Sequence, residues 1–286
     1  MIRLPIICCE GIGDSLMLLG RIPIEKMGRC GVRFNIFYTD NGKNNPSKQI
    51  LFTIFEQIKY VEFVERTPSR QEKWLWKKMV SASGRFERVW PLPFKNSGHH
   101  RIQRKGKNGK WRVIIQTHLD GHKNKDIVAK KWNIENWIKF IQELEKMGCE
   151  VGLLEWDPSA REIIIRNCPF VIDCSSGKLG EICETVRQFD CLVSVDSWTK
   201  YAAAWANLRQ VIIVPDLRRG YVASFESISA DMVAKWWFHG LMNNSRIKVI
   251  GLFVSNGVYE YGLKSINDLS VDQLLTATRQ LLTVSA

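Results

Sequence analysis

The chain has 286 residues, 45% of them hydrophobic and 24% charged, a balance that excludes long disorder, collagen-like repeats and a disulfide-dense miniprotein. At roughly 150 residues per domain, the length suggests two domains, each able to bury its own core. The 41 Lys and Arg against 29 Asp and Glu leave a net charge of +12. Such an excess favours an anionic partner: nucleic acid, a phosphorylated small molecule or a membrane surface.

Short apolar runs alternate with helical periods along the first third. Leu4–Cys9 reads as a strand, Ser15–Met27 as a helix, and Val32–Tyr38 as a strand. A helix over Ser47–Gln57, a strand over Val61–Val64, a helix over Gln71–Ser81 and a short strand over Glu87–Trp90 follow. From Lys95 to Arg112 the pattern breaks: seven Lys or Arg, two His, three Gly and no acidic residue occupy eighteen positions, as in a linker or loop.

The alternation then restarts. Strands are expected over Arg112–Gln116, Glu150–Leu154, Val171–Asp173, Cys191–Val195 and Gln210–Val214. Helices are expected over Ile134–Met147, Ser159–Arg166, Lys178–Gln188, Thr199–Ala206, Ser227–His239 and Val271–Thr283. Strands separated by helices imply βαβ units and parallel sheets, hence two doubly wound α/β layers.

The eight cysteines form no Cys-x-x-Cys pair, and several sit in apolar runs, where a free thiol behaves as a small core residue. A reducing, cytoplasmic setting is expected. Glu10 and Asp14 interrupt the apolar N-terminus too early for a signal peptide, and no stretch approaches the length of a membrane span.

Chemistry concentrates where strands hand over to helices. Glu10-Gly11-Ile12-Gly13-Asp14-Ser15 follows the first strand, and its glycines allow a tight turn close to a ligand. The third glycine of a dinucleotide fingerprint is missing, which argues against NAD. Asp14 has two readings: a helix cap, or a general base accepting a proton from an attacking hydroxyl. Beyond the strand ending at Gln116 lie Thr117 and then Lys130-Lys131-Trp132-Asn133, lysines placed just before a helix start. They read either as a solvated run or as phosphate ligands. Asp196-Ser197-Trp198-Thr199-Lys200-Tyr201 ends a strand and opens a small-residue helix, and its side chains are either caps or ligands for an anion. Asp216-Leu217-Arg218-Arg219-Gly220 is a further turn that either is solvated or faces phosphate.

In this order the three segments resemble glycosyltransferase family 9, the ADP-heptose:lipopolysaccharide heptosyltransferases. That family carries Gly-Asp after its first strand, Lys-x-Trp-Pro before a helix, and Asp-Ser/Thr-Gly-x-x-His-x-Ala-Ala later. Here the corresponding residues are Gly13-Asp14, Lys130-Lys131-Trp132-Asn133 and Asp196-Ser197-Trp198-Thr199-Lys200-Tyr201-Ala202-Ala203. The resemblance implies an α/β protein of GT-B architecture, two Rossmann-like domains facing a central cleft. Its divisions would be an acceptor-side domain over 1–95, a basic linker over 96–111 and a nucleotide-sugar domain over 112–286, with the last helix free to pack back on the first domain.

The implied reaction is inverting, metal-independent sugar transfer, lipopolysaccharide synthesis being the family's setting. It needs no cofactor, and the chain has no Asp-x-Asp motif. Asp14 would be the base and Lys130 would neutralise the leaving diphosphate. Gly13, Thr117, Lys131, Asp196, Ser197, Thr199 and Tyr201 would line the donor phosphates, and Glu155 or Glu162 would meet the ribose. The partners would be an ADP-sugar, a glycan, lipid or protein acceptor and, through the basic linker, an anionic membrane on its inner face. No nucleic acid and no metal are expected. Where the family has glycine and histidine, this chain has Trp198 and Tyr201, and Asn133 replaces the proline. Those departures leave an inactive sugar-nucleotide binder or scaffold as the alternative, with a nucleic-acid-binding protein behind it.

Overall fold

The computed structural model describes residues 2–8, 15, 19–20, 22–38, 51–52, 54–83, 109–117, 130–175, 181–216, 218, 229–234, 238, 241–242 and 244–283. Gly13, Asp14, the expected strand Glu87–Trp90 and most of the basic segment over 96–111 lie outside them.

A first parallel sheet has the order β1-β2-β3, formed by β1 (Ile2–Cys8), β2 (Val32–Tyr38) and β3 (Val61–Val64). Ile6, Phe34, Ile36 and Phe37 are fully buried in β1 and β2, whereas the edge strand β3 is only partly buried. The helix expected over Ser15–Met27 is interrupted: Ile22 and Pro23 are non-helical, and α1 begins at Ile24 and ends at Arg29. Proline lacks the N–H that would continue the helix and disfavours helical geometry at the residue before it. Gly28 is required by packing, because a Cβ there would fall 2.3 Å from the Tyr60 ring. After β3, α2 (Arg70–Ser83) is opened by a reciprocal pair: the Ser69 N–H donates to the Glu72 carboxylate, and the Glu72 N–H donates to Ser69 Oγ.

The second sheet is wholly parallel, six-stranded and ordered β6-β5-β4-β7-β8-β9. Its strands are β4 (Arg112–Gln116), β5 (Glu150–Leu154), β6 (Ile172–Asp173), β7 (Cys191–Val195), β8 (Arg209–Ile213) and β9 (Ile247–Ile250). The connecting helices are α3 (Ile134–Lys146), α4 (Pro158–Asn167), α5 (Ile182–Arg187) and α6 (Thr199–Trp205). In α3, Trp137, Phe140, Ile141 and Leu144 form the buried face, as the periodicity predicts. Asn133 caps its N-terminus, and Gly148 follows its C-terminus at φ +78°. Asp157 caps α4 by accepting from Ser159 and Ala160 N–H.

The later elements add to these expectations. Of the helix expected over Ser227–His239, the described residues show α7 (Ala230–Met232), capped by the Ser229 hydroxyl and continuing in π-helical geometry through Val233 and Ala234; residues 227–228, 235–237 and 239 lie outside the described residues. A strand β9 and a hairpin of β10 (Leu252–Ser255) and β11 (Val258–Tyr261) occupy a stretch for which helical and apolar periods gave no assignment. The Asn256-Gly257 pair, at φ +49° and +78°, is the two-residue turn that closes this hairpin. The final helix, α8 (Val271–Thr283), packs along the six-stranded sheet. Leu274, Leu275, Leu281 and Leu282 join the core beside α3, β8 and β9, because its apolar stripe matches that side of the six-stranded sheet. The seven described cysteines are all free thiols. Among the described residues, no helix is long and apolar enough to cross a membrane.

Candidate active site

Numbered within the second sheet alone, the strand order is 3-2-1-4-5-6, so the winding direction reverses between β4 and β7. In open α/β sheets, ligands bind beyond the carboxyl ends of the strands at such a reversal. Gln116 and Thr117 end or follow β4, Asp196 and Ser197 follow β7, and Glu155 follows β5. The residues that the sequence singles out beyond Lys95 therefore gather largely at one place.

The centre is ionic and enclosed. Lys130 Nζ donates to Asp196 Oδ2 at 2.8 Å and to the Asp196 carbonyl at 2.9 Å. Lys200 Nζ donates to the other carboxylate oxygen, Oδ1, at 2.5 Å. Lys130 is 4% exposed, Asp196 3% and Lys200 4%. Burial pushes the Asp196 pKa up, but the two ammonium groups outweigh it and hold the carboxyl well below the usual range. Burial likewise works against the charge on Lys200, and Asp196 more than restores it. The Lys200 ammonium also lies 4.7 Å from the ring centres of Tyr201 and Phe238, a cation–π setting that favours a charged amine.

A polar knot lies beside it. Gln116 Oε1 accepts from Ser197 Oγ at 2.5 Å and from the Thr199 hydroxyl, while the two hydroxyl oxygens sit 2.8 Å apart. Thr199 is fully buried, so its hydroxyl ties β4 to α6 and is turned away from solvent. Ser197 is nearly as enclosed. Tyr201 is buried in the hydrophobic cluster with Ala202 and Phe238, and Trp198 packs in the same cluster. The Trp198 indole N–H meets no hydrogen-bond acceptor among the described residues. Lys131 is exposed, whereas the adjacent Trp132 is buried, donating to the Leu269 carbonyl at 3.1 Å and stacking edge-on against Trp137.

The two ribose candidates separate cleanly. Glu155 is fully buried at the end of β5; its carboxylate accepts from the Thr117 hydroxyl and from Asp157 N–H at 2.8 Å. Glu162 lies out on α4, its side chain 69% exposed and paired with Arg166 one turn away. Only Glu155 stands at the strand ends. Asp216, in the turn after β8, holds Arg218 through two contacts of 2.8 and 2.7 Å.

Sequence reasoning missed two members of this site. Gln116 is a polar residue closing the apolar run Val113-Ile114-Ile115, and Lys200 stands four residues after Asp196. Both signals are visible in the sequence: Lys200 lies inside the Asp196–Ala203 segment at a position the family pattern leaves open, and Gln116 lies outside any motif.

No family model matches the chain, and no curated protein matches it. Its fold is that of the GT-B glycosyltransferases, and solved heptosyltransferase structures align over nearly its whole length. Escherichia coli heptosyltransferase WaaC with ADP-2-deoxy-2-fluoro heptose superposes with a TM-score of 0.58 at 11% identity, covering 98% of this chain and 99% of that one. E. coli ADP-heptose LPS heptosyltransferase II gives 0.58 at 12% identity, with coverages of 99% and 98%. A family 9 glycosyltransferase from Veillonella parvula gives 0.58 at 8% identity, again with 99% and 98%.

Proposed function

We propose that this chain is an inverting, metal-independent glycosyltransferase that moves a sugar, heptose being the first candidate, from a nucleoside diphosphate to a hydroxyl of a glycan, lipid or protein. The observation that carries this reading is the buried Lys130–Asp196–Lys200 cluster at the reversal point of a parallel sheet, with Glu155 at the neighbouring strand end. The solved structures with ADP and with an ADP-sugar support a nucleotide donor, and an adenine base is favoured for that reason.

In the proposed step the acceptor oxygen attacks the anomeric carbon from the face opposite the diphosphate. Asp14 takes the hydroxyl proton, the bond between carbon and phosphate oxygen breaks, and its electron pair leaves with the nucleoside diphosphate. Lys130 neutralises the charge that develops on that oxygen, an electrostatic route that needs no metal. Glu155, positioned by Thr117, receives the ribose hydroxyls, as acidic residues at the end of the second strand do in doubly wound folds. Thr199 and Tyr201 shape the seat from behind, and Ser197 remains at its edge. The basic segment over 96–111 suits a phosphorylated acceptor or the inner face of an anionic membrane, in a cytoplasmic protein.

A second reading, an inactive sugar-nucleotide binder, is favoured by Trp198 and Tyr201 where the family has glycine and histidine. Thermal melts with ADP, UDP, GDP and CMP separate the possibilities. A ligand at 100 times its Kd stabilises by about 2.7 kcal/mol, so ADP should raise the midpoint and CMP should not. No shift with any nucleotide contradicts both readings; a shift without transfer to any acceptor favours the second.

A further inference from the structure

The two sides of α2 differ sharply. Trp76 and Met79 turn inward and pack against the core of the first sheet, and Glu72 turns toward Arg66. The opposite stripe, at helical spacing, carries Arg70, Lys73, Trp74, Lys77 and Lys78, all exposed. Glu72 is the only acid in α2 and is bound to Arg66, so the charge on the stripe is wholly positive. Among the described residues, no carboxylate pairs with any of its four cations. Trp74 stands in their midst, 58% exposed, with the Lys78 ammonium 5.8 Å from its ring centre. A single exposed aromatic is ordinary on a protein surface. An indole among four such cations on one helix face is a different matter. It joins an amphipathic ring suited to the headgroup level of a bilayer with charges opposite in sign to anionic lipid.

We infer that this face of α2 docks the protein on a membrane that carries anionic phospholipid, with Trp74 entering the headgroup layer and Arg70, Lys73, Lys77 and Lys78 resting on the lipid phosphates. The inward side of the helix stays on its sheet, so docking uncovers no core. Single-stranded nucleic acid is held in a basic groove by a succession of stacking rings. A convex helix face with one indole fits a flat bilayer instead. The inference gives the membrane contact proposed above a described surface, and it rests on that reading only for the partner: nothing in it requires a nucleotide or a sugar.

The test is sedimentation of the full chain, at physiological ionic strength, with vesicles of phosphatidylcholine alone and of an equimolar phosphatidylcholine–phosphatidylglycerol mixture. The wild type should bind the anionic vesicles and leave the neutral ones. Lys73→Gln with Lys77→Gln and Lys78→Gln should bind about 100-fold more weakly, at about fivefold for each lysine near an anionic surface. Trp74→Ala keeps every charge and should still lose about tenfold, through the apolar area withdrawn from the headgroup layer. Lys139→Gln with Lys146→Gln and Lys264→Gln removes the same charge from exposed positions beyond β4 and should stay within about threefold of wild type. Every side chain changed is exposed, so circular dichroism should show native folding. Were the α2 triple variant to unfold, Lys77→Gln alone, expected about fivefold weaker, replaces it. A wild type that ignores anionic vesicles overturns the inference. So does a charge-matched control that loses as much as the α2 variant, because overall charge would then explain the binding. Full binding by Trp74→Ala overturns it too, and tighter binding of a single-stranded RNA oligonucleotide than of vesicles would assign the face to nucleic acid. Vesicle binding by a protein that transfers no sugar leaves the inference standing while the transferase reading falls; transfer by a protein that ignores vesicles does the reverse.

Discussion

Among the described residues, the ion-paired clusters that follow β3 and β7 make a contrast. After β3, Arg66 grips Glu72 through two bonds of 2.8 and 2.7 Å, and Ser69 completes the cap of α2. After β7, Asp196 is held by two lysines at 2.8 and 2.5 Å. The contact geometry is alike; the surroundings are not. The Arg66 side chain is 56% exposed and that of Glu72 19%, so water and salt screen the pair from one side and the cluster needs nothing beyond its role as a cap. The Asp196 cluster is shut away from water, its three side chains each 3–4% exposed. A half-exposed pair is accounted for by local structure, whereas a buried one at a switch point stands where ligands bind in such sheets.

Lys130 gives the largest expected effect. Lys130→Met removes the cation assigned to the leaving diphosphate, and the transfer rate should fall by about 10²–10³, the loss typical of one preorganised charge-stabilising donor. Wild-type turnover by this variant would show that the cluster serves the fold alone.

Asp196→Asn should cost stability. It removes the carboxylate that two buried ammonium groups share, and breaking a buried pair costs about 3–5 kcal/mol, read as a lowered thermal midpoint. The sign of its pH dependence follows from the depressed folded pKa of Asp196. Its contribution is fully present above the unfolded value of about 3.9 and is lost as pH falls below it. The wild type should therefore lose stability more steeply than the variant on acidification below about pH 4.

Glu72→Gln gives the smallest effect. The Arg66 guanidinium holds the Glu72 carboxyl down at about 2, yet Arg66 itself faces solvent, which screens the pair. The substitution should change the melting midpoint only slightly, and moderate salt should erase even that difference. A large, salt-independent loss would remove the contrast between the two clusters.

Much of this was legible in the sequence, for identifiable reasons. Parallel strands buried on both faces, such as Cys191–Val195, show as apolar runs, and Trp137, Phe140, Ile141 and Leu144 repeat with a helical period. The placement of Lys130 beside Asp196 was legible only as order along the chain, since 66 residues separate them. The roles of Lys200 and Gln116 stayed hidden because their partners are set by the crossing of β4, β7 and α6, and no local pattern encodes that crossing. The break at Pro23 and the turn at Asn256-Gly257 have clear local signals, and helical periodicity alone overrides the first and passes over the second. Thr199 illustrates the converse: a hydroxyl at a helix start looks like a ligand until Gln116 is seen to accept from it.

The central claim is that the donor's diphosphate sits on this cluster. A crystal structure with ADP tests it most directly. The account predicts a phosphate oxygen within hydrogen-bond distance of Lys130 Nζ, the ribose hydroxyls at Glu155, and Lys200 still on Asp196. ADP bound elsewhere, with Lys130 unmoved from the carboxylate, would contradict it.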